Sequence, residues 1–353
     1  MTRAPRATPK QAPIDWSGKK KVNLALQGGG SHGAFTWGVL DAILEDGRLD
    51  IEAISGTSAG AMNAAVLAEG YLEGGRTGAR EKLETFWSKI STEGAMSPWQ
   101  RKLLEGMFKP WNTGASPALW WMDLVTHYAS PYEFNPLDLN PLRDVLRGLI
   151  DFEKVRACKE IKLFVAATNV HTGKIAIFKR EQLTADHIMA SACLPYVFRA
   201  VEIDGVPYWD GGYMGNPALF PLFYETACPD VIVVQVNPIE REETPRTARD
   251  IQDRVNEISF NSSLLSEFRA VEFVQRLVDT GKLPKEKYRR VFAHRIEGGE
   301  KLGAFPAATK LDSSWANLAA MRDIGRAAAK DWLAKNYEAI GARDTIDLRA
   351  QFS

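Results

Sequence analysis

Two short stretches of this chain hold side chains that could make and break an acyl bond. One is Gly56-Thr57-Ser58-Ala59-Gly60, a serine among small residues; the other is Asp210-Gly211-Gly212, a carboxylate followed by two glycines. A third, Gly28-Gly29-Gly30-Ser31-His32-Gly33, offers a run of backbone N–H groups. A serine that attacks a carbonyl needs a base to take its proton. It also needs donors aimed at the oxygen where negative charge develops. The stretches supply one group of each kind: Ser58 as nucleophile, Asp210 as a candidate base, and the amides of Gly28, Gly29, Gly30, Ser31 and Ala59 as an oxyanion hole.

Each stretch also admits another reading; for Gly56–Gly60 it is a tight turn whose serine merely caps a helix. Gly28, Gly30 and Gly33 fit G-x-G-x-x-G after a strand, and Asp50 and Glu52 stand near the distance at which an acidic residue meets a ribose. That is the pattern of a dinucleotide-binding unit. Asp210-Gly211 is also a common turn dipeptide. His294, in "VFAHRIE", would complete the order Ser58, Asp210, His294 of an α/β-hydrolase triad. That fold lays down several strands before its nucleophile, however, and only one precedes Ser58. A histidine in an apolar, strand-like run is also more commonly packed than catalytic. His127, His171 and His187 have no supporting context.

The elements that must position these residues are legible from pattern. "KKVNLAL" is a short apolar run that ends at the glycine cluster, and "AFTWGVLDAILED" places Phe35, Val39, Leu40, Ile43 and Leu44 at helical spacing. "IEAIS" repeats the arrangement and runs into Ser58 and a second helix, "AGAMNAAVLAEGYL". Ser58 thus stands at a strand-to-helix turn, the context a nucleophile elbow requires. Gly56 and Gly60 keep that turn free of clashes, and Gly33 opens the first helix. Strand and helix alternating from the start predict an α/β fold with a partly parallel sheet. "IKLFVAATNV" and "IAIF" read as paired strands around "HTGK". "VEI" and "VPYW" flank Asp204-Gly205, a hairpin signal that ends at Asp210. "DVIVVQV" is a buried strand, and amphipathic helices are expected over about 244–280 and 314–337.

Composition sets the outer bounds. The chain has 353 residues, 44 Lys and Arg against 44 Asp and Glu, and 45% hydrophobic content. A balanced charge gives no general field toward nucleic acid or an anionic membrane. Cys158, Cys193 and Cys228 show neither a disulfide framework nor metal-ligand spacing. The first twenty residues are basic and rich in Pro and Ala, without an apolar core of signal-peptide length, and read as a disordered tail of a cytoplasmic protein. No segment approaches 18 uninterrupted apolar residues. Residues at about 92–140 are dense in Trp, Phe, Tyr and Pro, with Trp99, Trp111, Trp120 and Trp121 among them. They read as a packed insertion, or as a wall over an apolar site that touches a membrane surface transiently.

The three stretches, in this order, resemble the patatin-like phospholipases, a family of serine lipid acyl hydrolases. That family's pattern is a glycine-rich G-G-G-x-R/K-G turn, then G-x-S-x-G, then D-G-G or D-G-A. "SACLPYVFRAVEIDG", upstream of Asp210, looks like the family's lead-in to its third motif. The resemblance spans about Lys21 to Leu222. It implies a Ser–Asp dyad with Ser58 as nucleophile and Asp210 as general base, and Gly29 and Gly30 among the oxyanion donors. It implies a lipid or other apolar acyl ester as substrate, and no metal or organic cofactor. Position 32 departs from the pattern: a histidine supplies a cation there only when protonated.

The expected fold is therefore a three-layer α/β/α domain with a mixed, largely parallel central sheet. It comprises a tail at 1–20, a catalytic domain at 21–240 with the aromatic insertion, and a mainly helical extension at 241–353 packed on the same domain. A free aspartate titrates near about 3.9, too low for an efficient base at neutral pH. The dyad therefore requires a semi-enclosed Asp210, beside groups such as Tyr208 and Trp209, within hydrogen-bond reach of Ser58. An acyltransferase with the same serine chemistry and a non-catalytic lipid-binding protein are the alternatives.

Overall fold

A computed structural model describes residues 18–91, 130–135, 138, 140–284, 287–305, 309–310 and 312–352. Nearly all of the basic tail and most of the aromatic insertion, with His127, lie outside the described residues. An eight-stranded sheet runs in the order β5-β6-β3-β2-β1-β7-β8, with β4 paired to β3 beside this path. Its strands are β1 (Lys20–Leu26), β2 (Leu49–Gly56), β3 (Lys162–Asn169), β4 (Ile175–Lys179), β5 (Val201–Ile203), β6 (Val206–Asp210), β7 (Asp230–Gln235) and β8 (Phe292–Glu297). β3, β2, β1, β7 and β8 are mutually parallel, whereas β4, β5 and β6 join by antiparallel pairing. The sheet is mixed and mostly parallel, as the sequence pattern implies.

Side-chain alternation divides the core in two. Val22, Leu24 and Leu26 of β1 and Ile232 and Val234 of β7 face one layer; Ala25 of β1 and Val231 and Val233 of β7 face the other. The first layer holds α1 (Gly33–Asp46), α2 (Ala59–Ile90), α5 (Ala185–Ser191) and α8 (Trp315–Asn336). The second holds α6 (Phe220–Glu225) and α7 (Ala248–Asp279). Two shorter helices, α3 (Pro141–Leu149) and α4 (Phe152–Ala157), lead into β3. Both cores are closed by apolar side chains, each worth about 1.5–3 kcal/mol when fully buried, so neither face of the sheet is left open.

Three details differ from the sequence-based reading. α1 is buried over nearly its whole circumference instead of along one stripe: every residue from Gly33 to Leu44 is buried. α8 is the reason, because it closes the side of α1 away from the sheet. The enclosed Asp41 then pairs with Arg80 at 2.7 Å and with Arg326 of α8. α2 does not end where "AEGYL" does; it bends at Gly74 and Gly75, which have non-helical backbone, and resumes to Ile90. Finally, the segment after residue 240 is not only helical. It supplies β8, which pairs along its full length with β7.

Candidate active site

Strand register brings the three motifs to one edge of the sheet. β1 and β2 run parallel with Leu26 opposite Gly56, so the glycine turn and Ser58 leave neighbouring strands at the same end. β3 continues the level, with Val165 opposite Gly56, and two residues further on Ala167 pairs with Asp210 of antiparallel β6. The hairpin that delivers Asp210 turns on Asp204 and Gly205, both with positive φ (52° and 75°), as the two central residues of a tight primed turn require.

Contact between the motifs is close. A Cβ on Gly28 would lie 2.8 Å from Ser58 Cβ and 2.9 Å from the Thr57 carbonyl oxygen, so only glycine lets the turn rest on the elbow. Gly33 opens α1 with Ala59 against it, Gly56 ends β2 over the backbone of Gly60, and Gly60 sits on the end of β1. Gly211 lies against the backbone of Ala166, and Gly212 faces Phe260 of α7.

Ser58 has φ 53° and ψ −121°, a conformation that costs a non-glycine residue on the order of 1–3 kcal/mol and persists only where its surroundings enforce it. The enforcement is visible. The Ser58 N–H donates to Ser191 Oγ at 2.9 Å, and the Thr57 hydroxyl donates to the Gly215 carbonyl at 2.6 Å. Met62 N–H donates to the Ser58 carbonyl at 3.1 Å, so the serine stands at the head of α2. Its side chain comes close enough to the Asp210 carboxylate to favour that group's charged form.

Asp210 is held from three sides. Its N–H donates to the Cys193 carbonyl at 2.8 Å, its carbonyl accepts from Thr168 Oγ1 at 2.8 Å, and its Oδ1 accepts from the Gly212 N–H at 2.7 Å. The residue is only 2% exposed, so its enclosure is nearly complete rather than partial. Burial raises its pKa to about 7, against the opposing pull of the Gly212 N–H and the Ser58 hydroxyl. The neighbouring Cys193 thiol is pushed to about 12, by burial first and then by the Asp210 charge.

The donor set divides. Gly28 N–H donates to Asn216 Oδ1 at 2.7 Å, so this amide, expected among the oxyanion donors, is already engaged. Gly28 contributes close packing instead. Among the described residues no protein acceptor takes the amide of Gly29, which has φ 171°, or of Gly30, with φ 59°. Ser31 continues the short turn Gly30–His32, and Ala59 is the first residue of α2. His32 is buried, its Nε2 lies 2.8 Å from Thr309 Oγ1, and its ring meets Phe305 edge-on. Burial, with Lys310 and Arg241 nearby, lowers its pKa to about 3. It is a neutral side chain at physiological pH and does not supply a cation to the turn.

The rival assignments fail on position. Asp50 pairs with Lys21 near the start of β1, roughly 20 Å along the strand from the glycine turn at about 3.3 Å per residue. Glu52 accepts from the amides of Ala227 and Cys228 at 2.8 and 2.9 Å. Neither is placed to meet a ribose above the turn. His294 lies on β8, three strand spacings from β2, or about 14 Å, with Nε2 on Asp230 Oδ1 at 2.9 Å and Nδ1 on Thr345 Oγ1 at 3.1 Å. It is a packed histidine. His187 packs against Phe178 and caps α5 through Thr184.

Sequence reading missed the polar residues behind the site: Gln27, Ser191, Asn216, Asn237 and Lys310. Ser191 opens the lead-in to the third motif and Asn216 lies just beyond that motif, but nothing in their identities marks them as supports.

The family model described as patatin-like phospholipase matches residues 24–223, more than half of the chain. None of the curated proteins compared matches. Among solved structures, VipD from Legionella pneumophila is 16% identical, with a TM-score of 0.34 and coverage of 86% of this chain and 67% of that one. ExoU of the Pseudomonas aeruginosa type III secretion system, in complex with SpcU, is 16% identical in one structure, with a TM-score of 0.30 and coverage of 71% and 52%. In a second structure it is 15% identical, with a TM-score of 0.32 and coverage of 91% and 53%, so the chain spans about half the length of these matched chains. With its three glycine-bearing motifs gathered at one sheet edge and its matched region running from β1 through α6, the chain belongs to the patatin-like phospholipase family.

Proposed function

We propose that this protein hydrolyses carboxylic esters of lipids or other apolar acyl substrates through an acyl-Ser58 intermediate, with Asp210 as the general base. Ser58 Oγ attacks the ester carbonyl carbon while its proton passes to Asp210. The oxygen of the tetrahedral intermediate takes hydrogen bonds from the amides of Gly29 and Gly30, joined by Ser31 and Ala59. The carbon–oxygen bond to the alcohol then breaks, and the alcohol leaves with the proton from Asp210. Water repeats the sequence on the acyl-serine and releases the carboxylic acid. No step calls on a histidine.

The observation that supports this reading is the meeting of Ser58, at a strained strand-to-helix turn, with the buried carboxylate of Asp210, whose charged form Ser58 favours. A base works best when its pKa lies near the operating pH. Burial brings Asp210 to about 7, which answers the weakness of an ordinary aspartate in that role.

The test is release of fatty acid from mixed phospholipid and lysophospholipid substrates and from a soluble short-chain ester. Wild type should release acid; Ser58→Ala and Asp210→Asn should lose about 10²–10⁴-fold or more. Product appearing only as an acyl ester of added glycerol, with no free acid, would make the protein a transferase instead.

A further inference from the structure

The glycine turn rests on a buried amide network that reaches it from distant parts of the chain. Asn216 Oδ1 takes the Gly28 N–H, and Asn237 Nδ2 donates to the Gly28 carbonyl at 2.9 Å. Gln27 Oε1 accepts from the amides of Val236 and Asn237, both at 2.9 Å, and Gln27 Nε2 donates to Asn261 Oδ1 at 3.0 Å. At the far side of Asn237, Lys310 Nζ donates to Asn237 Oδ1 at 2.8 Å. Lys310 also packs its backbone over Gly30, where a Cβ would collide with the Lys310 carbonyl.

The Asn237 amide has two distinguishable ends. Gly28 C=O only accepts and a lysine ammonium only donates. A side-chain amide between them has one satisfactory orientation: oxygen to Lys310, nitrogen to Gly28. A planar trans peptide points its C=O and the following N–H in opposite directions. Fixing the Gly28 carbonyl on Asn237 therefore fixes the Gly29 N–H on the far side of the peptide plane, away from Asn237. Gly29 is one of the two turn amides that no described protein group takes up. Burying an ammonium is costly unless it is paired; here Glu257 and Asp253 oppose the desolvation of Lys310, and Arg241 adds to it.

We infer that Lys310 is a positioning residue for the oxyanion hole: its ammonium locks the Asn237 amide, and Asn237 in turn holds the Gly28–Gly29 peptide so that Gly29 N–H meets the developing oxyanion. The role rests on the acyl-transfer reading above. It assigns a function at the active site to the segment after residue 240, which lies beyond the matched family region.

The experiment compares wild type with Lys310→Met, Lys310→Arg, Asn237→Ala and the Lys310→Met/Asn237→Ala double variant. It reads kcat and KM on a soluble ester, together with thermal melting. Lys310→Met keeps most of the length of the unbranched side chain and removes the donor. Its kcat should fall by about tenfold or more, in line with the cost of a displaced oxyanion donor, with KM within about twofold and melting unchanged or higher. Lys310→Arg should recover most of kcat, and the double variant should be no slower than Asn237→Ala alone. The inference is overturned if Lys310→Met retains wild-type kcat, if its loss tracks a fall in melting temperature that Lys310→Arg shares, or if the two substitutions multiply. If wild type itself releases no more acid than Ser58→Ala, the acyl-hydrolase reading fails, and this role falls with it. An active wild type beside an unaffected Lys310→Met sinks the positioning role alone.

Discussion

Asp210 is where burial decides the chemistry. Its carboxyl sits at about 7 because desolvation outweighs the Gly212 N–H and the Ser58 hydroxyl. As the proposed base it must be ionised, so the kcat/KM of ester hydrolysis should rise with pH through about 7 and then level. A flat profile from pH 5 to 9 would argue against it. Stability should follow the opposite course. The folded form holds the Asp210 proton up to about 7, whereas the unfolded chain releases it near about 3.9. Between those values the folded state binds more protons, so its stability falls as pH rises. Asp210→Asn lacks this penalty. Denaturant unfolding at pH 5 and pH 8 should show Asp210→Asn gaining on wild type at the higher pH by a few kcal/mol, at ~1.4 kcal/mol per unit of pKa. Equal differences at both pH values would count against a buried, shifted carboxyl. Ser191 carries a separate expectation. Its fully buried Oγ accepts the Ser58 N–H, so Ser191→Ala should cost about 1–3 kcal/mol of stability and slow Ser58 acylation. Unchanged melting and rate would show that the elbow holds without it.

At the scale of elements, close packing of α8 on α1 keeps the glycine turn's helix in place. A Cβ on Gly325 of α8 would collide with the Phe35 carbonyl and come within 3.1 Å of the Val39 nitrogen. Gly325→Leu should therefore separate the helices and destabilise the protein by about 1–3 kcal/mol, read as a lowered denaturation midpoint; an unchanged midpoint would mean the pair can shift at no cost. This contact also shows the limit of sequence pattern. α1 was legible as a helix from Phe35, Val39, Leu40, Ile43 and Leu44, but its full enclosure was not, because the helix that covers it lies almost three hundred residues away. The hairpin at Asp204-Gly205 was legible because turn chemistry is local. Ser58 and Asp210 were legible because glycines must flank them. Asn216 and Asn237 were not, since a buried asparagine that clamps a turn looks like any loop asparagine until its partner, 188 positions distant for Asn216 and Gly28, is known. Gly28 was misjudged as a donor for the same reason.

For the whole molecule, the matched family region does not account for the folded unit. β8 closes the sheet beside β7, α8 covers α1, and α7 fills the second layer. A chain ending at residue 240 would expose the β7 edge and both apolar layers. It should be insoluble or lack a cooperative unfolding transition; a soluble, active 1–240 fragment would contradict this account. Among the described residues no helix is long and apolar enough to cross a membrane. The most direct test of the acyl-serine chemistry is reaction with a fluorophosphonate probe, followed by mass spectrometry of the labelled peptide. The adduct should sit on Ser58 alone, form faster as pH rises through about 7, vanish in Ser58→Ala and be strongly slowed in Asp210→Asn. Equal labelling of Ser58→Ala, or an adduct on another residue, would contradict the account.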